Sequence, residues 1–359
     1  MDTIVKKKEN VCNPMKLMNT IGCELQEIFE LSSIKDGESR LGIKNLASKE
    51  RLNDKQIDKV CEILGRGDEM REFIISFQDN YEVQKAKAKE SYNQSKKNFT
   101  KLKTVIPLLR NEFNDGNDRL DDIIDYFGVN SEEEIFKEAE TVAALFREQN
   151  NVKVDPVNLK AWLRRGDLDY ERFNLPEYDE KAFADWIEAR EWASFLGDES
   201  YFKSLPEKLS VFGVALVLVP YLKNTVYGAV RWKDGHPLIQ ISDRNQDLAT
   251  CWFTLFHEFG HVLKHRNEEI FEGALNEPKS KKDRREREAN KFANNYLYNG
   301  DDLRKEIFKN VRGGVFMTAT DMAEKYKVNL IFVAYWFIKA QYQPTFQKRV
   351  HIDFVSLYQ

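Results

Sequence analysis

Apolar positions recur at helical spacing along most of the chain. In residues 23–31 and 54–64 they return every third or fourth position, the mark of an amphipathic helix, and Gly65 stands where the second should stop. Residues 84–103 carry Lys85, Lys87, Lys89, Lys96, Lys97, Lys101 and Lys103 with almost no acids, which reads as a solvated helix face, with a nucleic-acid contact as the alternative. An acidic stretch follows over 112–140, where Ser131 and Glu134 form a capping box opening a helix that runs to about Asn150. Further helices are expected around 155–165 and 179–197, with Trp162, Phe183, Trp186 and Trp192 as core.

The texture changes at Val211. Residues 211–220 are a β-rich run closed by Pro220, and the segments 225–232 and 237–242 flank Lys233-Asp-Gly-His236. Asp234-Gly235 between β-branched segments is a hairpin signal, so a small antiparallel sheet is expected here. Residues 320–338 return to helical spacing as two helices around Lys327-Val-Asn329, the second apolar enough to pack on the preceding domain. The expected fold is therefore α+β and mostly helical, with a small antiparallel sheet packed on one buried helix and an all-helical N-terminal region. The expected divisions are 1–105, 106–205, 206–300 and 301–359.

Composition narrows the class. The 359 residues include 55 Lys+Arg and 59 Asp+Glu, a net charge of −4, which excludes nucleic-acid binding by bulk charge alone. The four cysteines, Cys12, Cys23, Cys61 and Cys251, form no C-x-x-C pair, which argues against a disulfide framework and a cysteine zinc ribbon. The longest apolar run, 214–220, is too short to cross a bilayer, and no apolar stretch follows the N-terminal lysines. A soluble cytoplasmic protein with no membrane partner is expected.

The chemistry concentrates in His257-Glu-Phe-Gly-His261. On a helix, positions i and i+4 lie within about 40° of each other, so His257 and His261 project from one face and can share one metal ion. Glu258 sits about 100° round from His257, where it flanks the metal as a general base. Trp252, Phe253, Leu255, Phe256 and Phe259 make this helix apolar around much of its circumference, and buried imidazoles beside a carboxylate would be costly without a metal. Zinc needs a third protein ligand that leaves one position open. No histidine follows at H-x-x-G-x-x-H spacing, which points to a carboxylate on the later helix bearing Ala289, Phe292, Ala293, Tyr296 and Leu297 on its inward face. Glu286 shares that side with Asn290, which would orient a ligand histidine, and is preferred to Glu288, which is expected to pair with a neighbouring arginine at the surface. His265, a turn beyond His261, is expected to pack or to face the helix end, and His236 and His351 to be structural or exposed.

Gly228-Ala-Val-Arg-Trp232, Ile239-Gln-Ile-Ser242, the segment Trp252 to His261 and Glu286-Arg-Glu-Ala-Asn-Lys-Phe-Ala293 together resemble the ImmA/IrrE-type zinc metallopeptidases, over roughly residues 143–297. The resemblance implies a minimal gluzincin with Zn²⁺ on His257, His261 and Glu286, and Glu258 as catalytic base. It also implies a protein substrate, a repressor or antitoxin-like regulator in a mobile-element, stress or toxin–antitoxin setting. Many such proteins are fused to a helix-turn-helix. Residues 24–64 have about that length and helicity, with an irregular turn around 32–40, so a DNA-binding regulator with a structural or vestigial metal site is the alternative expectation. Tyr296-Leu-Tyr-Asn-Gly300 departs from the apolar stretch and proline usual in this family, which bears on the adjoining groove.

Overall fold

The computed structural model describes residues 11–109, 119–150, 154–265, 279–342 and 349–358, with backbone alone at 145–150 and 279–283. Part of the acidic stretch, residues 112–118, lies outside the described residues. The chain divides into two compact units, Met1–Lys101 with Asn117–Leu120 and Leu102–Gly116 with Asp121–Gln359.

The first unit holds α1 (Ile21–Leu31), α2 (Gly37–Leu41), α3 (Asp54–Leu64) and nearly all of α4 (Asp68–Leu102). Ile21, Leu25 and Phe29 of α1 pack with Leu41, Leu46, Ile57, Val60 and Ile74 into a small core. Local chemistry sets the helix limits. Thr20 Oγ1 caps α1 by accepting from the Cys23 amide, Asn53 and Gln56 form a reciprocal capping box at α3, and Gly65 ends α3 in the left-handed region at φ 65°. Within 24–64, α2 is only five residues long, and Ser33 and Asp36 before it adopt positive φ. On α4, Lys85 pairs with Glu50, Lys96 lies 4.3 Å from the Tyr92 ring centroid, and Lys87, Lys89 and Lys97 are exposed.

The second unit runs through α5 (Leu120–Phe127), α6 (Glu132–Asn150), α7 (Pro156–Tyr170), α8 (Glu180–Ala189) and α9 (Glu199–Ser210) to a sheet. Its strands are β1 (Ala215–Val219), β2 (Gly228–Lys233) and β3 (His236–Ser242), in the order β1-β3-β2. The hairpin is present, with Asp234 and Gly235 at φ 52° and 86° giving its tight turn. The sheet is mixed rather than antiparallel, because β1 pairs parallel with β3 in the register Leu216↔Ile239 and Leu218↔Ile241. The turn dictates only the β2–β3 pairing. Every residue of β1 is buried, and such a strand suits the parallel position between covering helices.

Alternation in β3 sends its side chains two ways. Ile239 and Ile241 join Leu216, Leu218 and Val230 in the main core with α10 (Leu248–Lys264). Gln240 faces α7, where its amide bonds the Trp162 carbonyl and accepts from Arg231, whose guanidinium reaches Asp167 at 2.6 Å. Core aromatics Trp192, Trp252, Phe256 and Phe259 surround α10, which is buried on most of its circumference.

Beyond α10 come α11 (Lys279–Leu297), α12 (Asp302–Arg312), α13 (Ala319–Tyr326) and α14 (Leu330–Lys339). Lys327, at φ 52°, turns the chain between the last two, and Phe332 of α14 enters the main core. The segment 349–358 then returns to the sheet. Val350 accepts from the Leu248 amide at the start of α10, the Phe354 amide donates to Asp243, and the Tyr358 hydroxyl reaches Asp169 and the Leu218 carbonyl. Ile352 and Phe354 are fully buried. Among the described residues no helix is long and apolar enough to cross a membrane.

Candidate metal centre

The centre lies where α10 crosses α11. Close approach of these helices depends on Gly260, since a Cβ there would sit 3.0 Å from Ala289 Cα and 3.2 Å from Phe292 Cβ. Ala289 lies within three residues of Glu286, so the glycine sets how near that carboxylate comes to the histidines. Gly260→Val is expected to separate the helices, costing about 1–3 kcal/mol and weakening metal binding together, as thermal melting and chelator competition will show.

His257 and His261 present their Nε2 atoms to each other at 3.0 Å. Glu286 reaches in from α11, with Oε2 at 3.3 Å from His257 Nε2 and Oε1 at 3.4 Å from His261 Nε2. Among the described residues these three are the only His, Cys, Asp or Glu group whose donor atoms gather this way, all within 4.8 Å. Three ligands bound tetrahedrally at about 2.1 Å would lie about 3.4 Å apart, so the spacing and the N, N, O donor set both fit a zinc-type ion. His261 is 5% exposed, and Glu286 is half-exposed, which leaves one side of the cluster accessible.

The electrostatics also favour a cation. Burial alone would lower the His257 pKa, but its bond to Glu286 and the charges of Glu258 and Glu286 hold it above the usual imidazole value. Burial would raise Glu286, yet bonds to both histidines hold it well below the carboxylate range. His261 is lowered, chiefly by burial. The cluster thus draws positive charge into its centre.

Around it stand the remaining residues. Asn290 Oδ1 lies 3.3 Å from His257 Nδ1. Glu288 bonds Arg284 Nε at 3.1 Å, as its position on α11 suggests, and its other oxygen lies 3.0 Å from His265 Nε2. His265 is buried, with Nδ1 3.1 Å from His261 Nδ1. His236 is remote from this group, bonding the Gly213 carbonyl, and His351 is exposed.

Glu258 is buried, at 5% exposed. Its carboxylate lies against the start of β2, where a Cβ on Gly228 would meet Glu258 Oε1 at 2.6 Å and Thr254 Cγ2 at 2.7 Å. Burial pushes its carboxyl up to about 7, against the lowering effect of His257 and with help from Glu286. Gly228 therefore belongs to the site, as the residue whose missing side chain makes room for this carboxylate. In the sequence Gly228 stands in the family-like segment 228–232, which carries no sign of this contact.

A buried H-E-x-x-H helix beside a small sheet, with a carboxylate from a following helix, defines the architecture of a metallopeptidase. Residues 210–336 match the family model Peptidase_M78, the IrrE N-terminal-like domain, so this segment is a domain of the ImmA/IrrE family. The matched span begins later than the resemblance over 143–297 and continues into α14, whose Phe332 shares the core of α10. No curated protein and no solved structure matches the chain.

Proposed function

We propose that the chain is a zinc-dependent endopeptidase that cleaves a regulatory protein, a repressor or antitoxin-like factor, in the cytoplasm. The observation that carries this reading is the convergence of His257, His261 and Glu286 beside the buried Glu258. His257, His261 and Glu286 would hold the zinc, which when bound would supply Lewis acidity towards a water and the scissile carbonyl. Asn290 orients His257 through Nδ1, leaving Nε2 free to ligate. Glu258 accepts the proton of the attacking water and returns it to the departing amine. A carboxyl whose proton affinity burial has raised is suited to both halves of that transfer.

The sheet suggests where substrate lies. With strand order β1-β3-β2, β2 pairs with a strand on one side only among the described residues, and its first residue lies against Glu258. An extended peptide added to that edge through main-chain hydrogen bonds would run past the base. The regulatory substrate and its mobile-element, stress or toxin–antitoxin setting rest on the family, and the cytoplasmic setting on the four free cysteines.

A second reading, a DNA-binding regulator with a structural metal, draws on the exposed lysines of α4. One set of measurements separates the two. The peptidase reading expects one zinc per chain by elemental assay, cleavage of a repressor or antitoxin-like partner encoded beside it, and loss of both in His257→Ala. Absence of stoichiometric metal, or cleavage that survives His257→Ala, would overturn it. Binding to upstream DNA of equal strength in both proteins, without cleavage, would favour the regulator.

A further inference from the structure

His265 is the third histidine on the α10 stripe and is 2% exposed. Its two ring nitrogens face different partners, Nδ1 towards His261 Nδ1 at 3.1 Å and Nε2 towards Glu288 Oε2 at 3.0 Å. An ionised carboxylate only accepts, so the hydrogen between Glu288 and His265 belongs to His265 Nε2. A neutral imidazole carries one N–H, which leaves His265 Nδ1 as an acceptor. With His265 neutral, the hydrogen in the next bond comes from His261 Nδ1. His261 Nε2, the atom that faces His257 and Glu286, is thereby left with its lone pair exposed to the centre. Arg284, bonded to the other oxygen of Glu288 at 3.1 Å, holds that carboxylate in place.

We propose that Glu288 and His265 are positioning residues, a carboxylate–imidazole relay that locks His261 in its Nδ1–H tautomer and so sets the affinity of the centre for its metal. The proposal rests on the metal reading of His257, His261 and Glu286. It differs from a packing role for His265 in one respect: the relay requires the Glu288 carboxylate, whereas packing does not. The two ligand histidines are then oriented by different means, His257 by an amide from α11 and His261 by a second imidazole backed by a charge.

The test uses the full chain and zinc itself. Zinc affinity is measured by chelator competition for the wild type, Glu288→Ala, His265→Leu and His265→Gln, and ring-nitrogen NMR reports the His261 tautomer in the zinc-free proteins. Glu288→Ala changes a residue on the helix surface and keeps His265 packed, so it tests the relay even if His265→Leu fails to fold. The relay expects affinity to fall roughly 10–100-fold in Glu288→Ala and His265→Leu, with partial recovery in His265→Gln, whose amide oxygen can accept from Nδ1–H. His261 should shift from one tautomer to a mixture in the first two. Unchanged affinity in Glu288→Ala together with an unchanged His261 tautomer would overturn the relay. A wild type that binds no zinc would instead refute the metal reading, and the tautomer measurement would still decide whether Glu288 and His265 fix His261.

Discussion

Replacing Glu258 by glutamine is expected to lower cleavage of the cognate protein by roughly 10²–10⁴-fold while zinc stays bound. The side chain is absent from the converging trio, so its loss removes no donor atom from the centre. Glutamine has nearly the same shape and fits the gap that Gly228 leaves, so the fold has no reason to change. What the amide lacks is basicity. It cannot take a proton from the attacking water or deliver one to the amine. Single-turnover cleavage read beside elemental zinc makes the comparison. Turnover within a few-fold of wild type would assign the base elsewhere, and loss of zinc would mean that Glu258 helps hold the ion.

The same substitution should stabilise the metal-free protein at neutral and alkaline pH. Burial raises the Glu258 pKa from 4.5 to about 7. Between those values the folded chain keeps a proton that the unfolded chain has released, so stability falls as pH rises through this window. The stabilising contribution is complete below about 4.5 and gone above about 7, a difference of about 3 kcal/mol. Glutamine cannot ionise and escapes this loss. Denaturant unfolding of zinc-free wild type and Glu258→Gln across pH 5–8 should give curves that diverge upward, the variant being more stable at the alkaline end. Parallel curves would show that the carboxylate is already compensated in the folded protein. Bound zinc should shrink the difference, since a nearby cation favours the ionised form.

Much of the centre was legible because helical periodicity is rigid. Two histidines four apart must share a face, and the inward stripe of Ala289, Phe292 and Ala293 decides which of Glu286 and Glu288 turns towards them. The structure puts Glu286 among the histidines and Glu288 one turn further along the contact, against His265. Contacts made between distant segments were not legible. The expectation for Glu288, a surface pairing with arginine, saw its bond to Arg284 but not the one to His265, because the latter depends on how α11 registers against α10. Gly228 stands in the family-like segment 228–232, but its contact with Glu258 depends on how β2 packs against α10. The sheet shows the same boundary. A two-residue turn specifies the antiparallel pair, whereas the parallel placement of β1 beside β3 is fixed by the helices that cover it and by β3 lying between the other two strands.

The returning segment 349–358 has a practical bearing on how this protein is handled. The recognised domain stops at residue 336, yet Val350 supplies a carbonyl to the first turn of the histidine-bearing helix, and Phe354 fills space beside Phe202. A recombinant fragment trimmed to the family borders would uncork that helix at its start and open the hydrophobic interior to solvent. Workable expression boundaries therefore reach through Tyr358, and a fusion tag attached there should be joined by a linker long enough to leave the plug seated.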